Sequence, residues 1–129
     1  LKYNCKIFKE LGAISNILCH EDQLTQVFIN LFVNSSHAFT DQGEITIKTW
    51  EEDKYIIAKV CDTGHGIPEE NLTKLFDPFF TTKEVGKGTG LGLSISHGII
   101  EDHGGTIEVE STLGKGTCFT IRIPAKLVV

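Results

Sequence analysis

The sequence predicts one α/β domain, strands and amphipathic helices sharing a single core, and three observations carry that prediction. Glu44–Trp50, Thr106–Ser111 and Thr117–Ile123 alternate apolar and polar residues, and Tyr55–Cys61 is a compact run of strand formers. Between Glu21 and Phe39 no Gly or Pro intervenes, and Leu24, Val27, Phe28, Leu31 and Ala38 recur at helical spacing. Gly86-Lys87-Gly88-Thr89-Gly90-Leu91-Gly92-Leu93-Ser94 sets glycine at every second position, then runs into the helical spacing of Leu91, Leu93, Ile95, Ile99 and Ile100.

Length and charge narrow the function classes. The 129 residues suffice for one domain, taken here as 1–129. The formal net charge is −5 and Arg122 is the sole arginine, which argues against a nucleic-acid partner and its basic stripe. No apolar run approaches a membrane span and no charged-then-apolar leader opens the chain, so no membrane contact and a cytoplasmic setting are expected. The abrupt start at Leu1-Lys2-Tyr3 reads as the interior of a longer chain. Cys5, Cys19, Cys61 and Cys118 are scattered without a C-x-x-C pair, and read as free thiols of a reducing cytosol rather than two disulfides. Asn34-Ser35-Ser36 and Asn71-Leu72-Thr73 match the glycosylation pattern by accident on this reading.

In chain order, Lys2–Leu11 is an edge strand with Cys5, Ile7 and Leu11 facing inward, and Ile17–Cys19 a short strand. Glu21 and Asp22 place negative charge at the start of the first long helix, where the macrodipole favours it. Glu44–Trp50 and Tyr55–Cys61 should pair antiparallel around a polar tip at Glu51-Glu52-Asp53. A short helix follows Pro68 through Leu75. The second long helix runs from about Leu91 to Asp102 and stops at His103-Gly104-Gly105. Two closing strands flank the turn Leu113-Gly114-Lys115-Gly116, with either Cys118 or Phe119 opening the inward pattern of the last one.

Four stretches invite a chemical reading, each beside a bland one. The glycine run is either a linker or a phosphate site, because helix N-termini offer unpaired N–H groups and positive potential. It matches neither G-x-x-x-x-G-K-[ST] nor G-x-G-x-x-G. Asn30 and Asn34 share a helix face with Gln26, flanked by Phe32 and Val33, although Asn is a poor interior helix residue. They are either satisfied amides or donors of hard oxygen, Asn34 then suiting Mg²⁺. Asp62-Thr63-Gly64-His65-Gly66-Ile67-Pro68 is an Asx turn, or a place where Asp62 accepts a hydrogen bond from adenine's exocyclic amine. Phe76-Asp77-Pro78-Phe79-Phe80-Thr81-Thr82-Lys83 is a packed turn, or the hinge of a lid that swings Lys83 towards phosphate. The five histidines show no metal-ligand spacing, and His37, three residues beyond Asn34, is placed to touch a phosphate.

Gln26 to Asn34, Asp62 to Pro68, Phe76 to Lys83 and Gly86 to Leu93, in this order, resemble the N, G1, F and G2 boxes of the catalytic ATP-binding domain of a sensor histidine kinase. Gly114-Lys115-Gly116-Thr117 also resembles that family's closing segment, and the uninterrupted F box looks most like the nitrogen-regulator type. The resemblance implies a two-layer sandwich, a mixed sheet of about five strands with three helices on one face. It implies ATP with Mg²⁺ between the asparagine helix and the glycine lid. Asn34 would ligate the metal, and Asn30 would support the phosphates or the metal's waters. Asp62 would take the adenine amine, Gly64, Gly66 and Ile67 would line the purine, and Thr117 would help Asp62 hold a water. Lys83 and the segment Gly88, Thr89, Gly90, Leu91, Gly92 and Leu93 would contact the phosphates.

In gyrase-type, chaperone-type and mismatch-repair ATPases, which this family resembles, a Glu one helical turn before the metal Asn activates water. Here Asn30 stands there, and an amide is no general base at neutral pH. The resemblance therefore implies transfer of the γ-phosphate to a histidine on upstream dimerisation and histidine-phosphotransfer helices, and onward to a response regulator receiver domain. The competing readings are a nucleotide-binding module without kinase activity and a serine-directed anti-sigma kinase of the same fold.

Overall fold

A computed structural model of the protein describes residues 5–11, 21–36, 43–77 and 92–124. Chain order is β1 (Cys5–Leu11), α1 (Glu21–Ser36), β2 (Gly43–Glu52), β3 (Tyr55–Asp62), α2 (Glu69–Leu72), α3 (Gly92–Asp102), β4 (Thr106–Thr112) and β5 (Gly116–Pro124). The strands form one five-stranded sheet in the order β1-β2-β3-β5-β4. β1 runs parallel to β2, and every other neighbouring pair is antiparallel. A parallel pair needs a crossover, and α1 lies in the one joining β1 to β2. The mixed sheet expected from the family resemblance is thus present.

Strand alternation decides which face is covered. Ile45, Ala58, Val60, Ile107, Phe119, Ile121 and Ile123 project from one side and form a single cluster with Val27 and Leu31 of α1 and Ile100 of α3. Phe119, not Cys118, therefore opens the inward pattern of β5. Each of these side chains larger than Ala58 contributes roughly 1.5–3 kcal/mol by leaving water, which fixes both long helices on that face. α2 sits against β4.

The boundaries differ from the sequence expectation in two places. β2 extends through Glu52, so Glu51 and Glu52 pair with Ile56 and Tyr55 instead of forming the tip. The turn is Asp53-Lys54, both at positive φ (51° and 66°), the two-residue geometry that matches strand twist. α1 is described from Glu21 to Ser36, and 37–39 lie outside the described residues. α2 is a single turn, and hydrogen-bonded turns (Lys74 N to Asn71 O, 3.0 Å; Asp77 N to Lys74 O, 3.0 Å) carry the chain on past it. Phe76 packs against the core and meets the His97 ring, with centroids 5.1 Å apart. α3 stops as expected: Gly104 takes φ 76°, and Gly105 N reaches Ile100 O at 2.9 Å. Ile17–Cys19 and Phe79–Gly90 lie outside the described residues.

The free-thiol expectation fails for one pair. Cys61 and Cys118 are register partners in β3 and β5, and a disulfide joins them. No sequence spacing signals this, because antiparallel register brings together residues separated by 57 positions. Both project from the sheet face opposite Val60 and Phe119. Closing a loop of this length stabilises the chain by at most about 4 kcal/mol on the chain-entropy account. Reduction of the bridge should lower the unfolding free energy by up to that amount. Urea denaturation with and without reductant measures it, and coincident midpoints would show that the bridge adds no stability.

Candidate nucleotide-binding site

One end of the sheet carries a row of polar side chains on the helix-covered face. Asp62, the last residue of β3, stands opposite Thr117 in β5, and Thr117 stands opposite Ser111 in β4. Each continues an apolar series on its own strand: Val60 before Asp62, Val109 before Ser111, and Phe119 after Thr117. Asp62 and Thr117 are buried, 7% and 5% exposed. A carboxylate at such a place must be hydrogen-bonded, and Asp62 Oδ1 accepts from Gly64 N at 2.9 Å. The Asx turn is therefore real, and it shapes the loop that follows.

That loop is held on two sides. Thr63 N donates to Glu44 O (3.1 Å), and Glu44 N donates to Thr63 Oγ1 (3.0 Å), tying it to β2. Gly114 N donates to His65 O (2.8 Å), and Ile67 N donates to Ser111 Oγ (2.7 Å), tying it to β4 and the β4–β5 turn. Two glycines make the approach possible. Gly66 has φ 80°, and a Cβ there would lie 2.3 Å from Thr112 O. Gly116 has φ 135°, and a Cβ there would lie 2.0 Å from Asp62 O. A side chain at either position would push the loop off the sheet.

A second polar cluster joins α1 to α3. Asn30 Nδ2 lies 3.1 Å from both Gly92 O and Ser96 Oγ. Gly92 O only accepts, so the amide nitrogen must face α3 and Asn30 Oδ1 must face α1. There it accepts from Gln26 Nε2 at 2.8 Å. Ser96 is fully buried and donates back to Gly92 O at 2.9 Å. A Cβ on Gly92 would sit 3.8 Å from Asn30 Cγ, ordinary contact. The amide thus ties the first turn of α3, directly after the glycine-rich stretch, to the middle of α1.

Asp62, Gly64, Gly66, Ile67 and Thr117 come together at the sheet end, while Asn30 and Gly92 meet between the helices. Asn34 is half-buried one turn beyond Asn30, and Leu93 packs against the core. The core joins the two groups through Leu31, Leu93, Val60 and Phe119. His37, Lys83, Gly88, Thr89, Gly90 and Leu91 lie outside the described residues. Sequence reading missed Ser96 and Ser111, and took Gly116 only as part of the turn and of the closing segment. Ser111 had a signal, being a polar residue on the inward parity of Ile107 and Val109. Ser96 had a weaker one, four residues beyond Gly92.

Comparison with known proteins gives this geometry a context. Residues 19–127 match the family model described as "Histidine kinase-, DNA gyrase B-, and HSP90-like ATPase". Among curated proteins, the sensor kinase CckA of Brucella abortus is 47% identical over 79% of this chain, and the sensor histidine kinase ZraS of Escherichia coli K12 is 41% identical over 93%. The chain spans 12% and 25% of those relatives' lengths. Among solved structures, the nucleotide-free catalytic domain of the histidine kinase ThkA superposes with a TM-score of 0.84 at 38% identity, over 95% of this chain and 80% of that one. The chain belongs to the histidine kinase-, DNA gyrase B- and HSP90-like ATPase family, as a catalytic domain of the sensor histidine kinase kind.

Proposed function

We propose that this domain, 1–129, binds Mg²⁺–ATP and presents the γ-phosphate to a histidine on upstream dimerisation and phosphotransfer helices, from which a response regulator receiver domain takes it. The observation that carries the nucleotide reading is the buried Asp62 at the end of β3, beside a loop that Gly66 allows to lie against the end of β4. Asp62 accepts from adenine's exocyclic amine, Gly64, Gly66 and Ile67 line the purine, and Thr117 supports the same edge. Full-length ShkA, 27% identical with a TM-score of 0.85 and with 26% of its chain covered, was solved in complex with AMPPNP, an ATP analogue, which supports the choice of ligand.

The phosphate end falls to α1 and the glycine-rich stretch. Asn34 offers an amide oxygen, a hard donor suited to Mg²⁺. Among the described residues no group of three His, Cys, Asp or Glu side chains stands together. A single amide oxygen therefore fits a cation held mostly by phosphate and water. Bound there, Mg²⁺ neutralises phosphate charge, the main requirement of phosphoryl transfer together with alignment. Lys83 and the segment Gly88 to Leu93 complete the phosphate contacts, with His37 close by. Asn30 orients the start of α3 and supplies no base, so water is left unactivated and the bound phosphate waits for an incoming imidazole. The domain works in the cytoplasm, where ATP is made. Among the described residues no helix is long and apolar enough to cross a membrane.

Titration with an ATP analogue, with and without Mg²⁺, followed by mapping of perturbed amides, tests the site. Perturbation should centre on Asp62 to Ile67, Thr117 and the start of α3, and perturbation elsewhere would refute it. Joined to its upstream helices, the domain should form phosphohistidine from ATP, and failure to do so would refute the kinase reading. Asp62→Asn should weaken ATP binding by about tenfold or more, the loss expected for a hydrogen bond to a charged group. It should also narrow the preference over GTP, and unchanged affinities would remove Asp62 from the purine. Asn34→Asp should change the Mg²⁺ concentration that binding requires while sparing adenosine. Asn30→Ala removes donors to a carbonyl and to a buried hydroxyl, and should cost about 1–3 kcal/mol. Amide exchange in the first turn of α3 should rise with it, and unaltered exchange would show that the tie is dispensable.

A further inference from the structure

We propose that Ser111 fixes the hydrogen-bonding sense of the base-recognition edge, and thereby sets a preference for a purine bearing an exocyclic amine over one bearing a ring carbonyl. The proposal rests on the nucleotide reading above. A serine hydroxyl has one proton to donate and two lone pairs with which to accept. Ser111 Oγ has three partners: Ile67 N at 2.7 Å, Gly116 O at 3.0 Å and Thr117 Oγ1 at 2.8 Å. The Ile67 N–H can only donate, and the Gly116 carbonyl can only accept. The single proton of Ser111 is therefore committed to Gly116, and one lone pair to Ile67. Only an acceptor site is left for Thr117, whose hydroxyl must donate.

Thr117 thus gives its own proton to Ser111 and keeps its lone pairs for whatever lies beside it. Its register partner on the other side is Asp62, whose carboxylate already accepts from Gly64 N and offers further acceptor oxygen. Carboxylate and hydroxyl side by side make an acceptor-only edge. Such an edge takes an amine directly, or through a water that gives one hydrogen to each oxygen. It repels a ring carbonyl, which has no hydrogen to offer. Adenine carries the amine where hypoxanthine carries the carbonyl. Ser111 need not touch the ligand, because it acts through Thr117 as a positioning residue.

Ser111 also anchors the loop through Ile67 N, and loss of that anchor alone would weaken all purine nucleotides alike. The discriminating quantity is the ratio of affinities for ATP and ITP, measured by calorimetry in Mg²⁺ on the wild-type chain, Ser111→Ala and Ser111→Thr. The wild type should favour ATP. Ser111→Ala frees the Thr117 proton to face the base and should narrow the ratio about three- to tenfold, the worth of one hydrogen bond. Ser111→Thr keeps the hydroxyl and should restore the wild-type ratio. An alanine variant with the wild-type ratio, whatever its absolute affinity, overturns the proposal and leaves the nucleotide site standing. If the alanine variant does not fold, Ser111→Cys, with its weaker donor and acceptor, is read by the same criterion. A wild type that binds ATP and ITP equally overturns the assignment of the base edge itself, and the proposal with it.

Discussion

The structure depends on the antiparallel register of β3, β5 and β4. That register sets Asp62 opposite Thr117 and Thr117 opposite Ser111, and the same register two residues further in stacks Val60, Phe119 and Val109. The apolar rungs supply the burial that holds the helices. The polar rung at the end inherits the rigidity of that packing without adding to it. A slip of one residue would turn every side chain of a strand to the opposite face, exchanging Asp62 for Cys61 at the site. The core thus protects the site's geometry, since a one-residue slip would turn Ile45, Val60 or Phe119 out of the shared cluster.

Around this rung the backbone does as much as the side chains. Gly64 N holds the Asp62 carboxylate, Ile67 N holds the Ser111 hydroxyl, and Gly114 N holds the loop carbonyl of His65. Gly66 and Gly116 permit these contacts because a Cβ at either would meet a carbonyl oxygen. The cluster around Asp62 is therefore a product of strand ends and turns, set by local geometry. The cluster around Asn30 is a product of helix packing, set by the Asn30 tie and by the shared contacts of Leu31 and Leu93.

Much of this was legible in the sequence. The two long helices, the β2–β3 hairpin and the β4–β5 hairpin followed from periodicity, and Asp62, Gly64 and Gly66 stood out because a carboxylate and two glycines close a strand. What escaped had two physical causes. The hairpin tip moved by a residue because turn conformation, not polarity, decides the tip: Asp53 and Lys54 take positive φ, while the two glutamates remain paired. The Cys61–Cys118 bridge and the Ser111 contacts escaped because both depend on register across strands, which no local pattern in the chain encodes. The identity of the ligand came from motif order, since periodicity carries no information about chemistry.

Asn30 shows how the fold and the choice of reaction constrain one another. In the hydrolytic members of this superfamily a glutamate at this place activates water. A carboxylate could not donate to Gly92 O, whose lone pairs it would face directly, nor give a proton to Ser96. The tie that holds α3 against α1 in this chain is therefore available to an amide and closed to an ionised acid. A glutamate here would gain a general base and lose the anchor of the helix that follows the glycine-rich stretch. Phosphoryl transfer to a histidine, as proposed above, gains nothing from water activation and loses product to it. On that proposal the amide would satisfy both requirements at once: it secures the first turn of α3 and would leave the phosphate without a hydrolytic base.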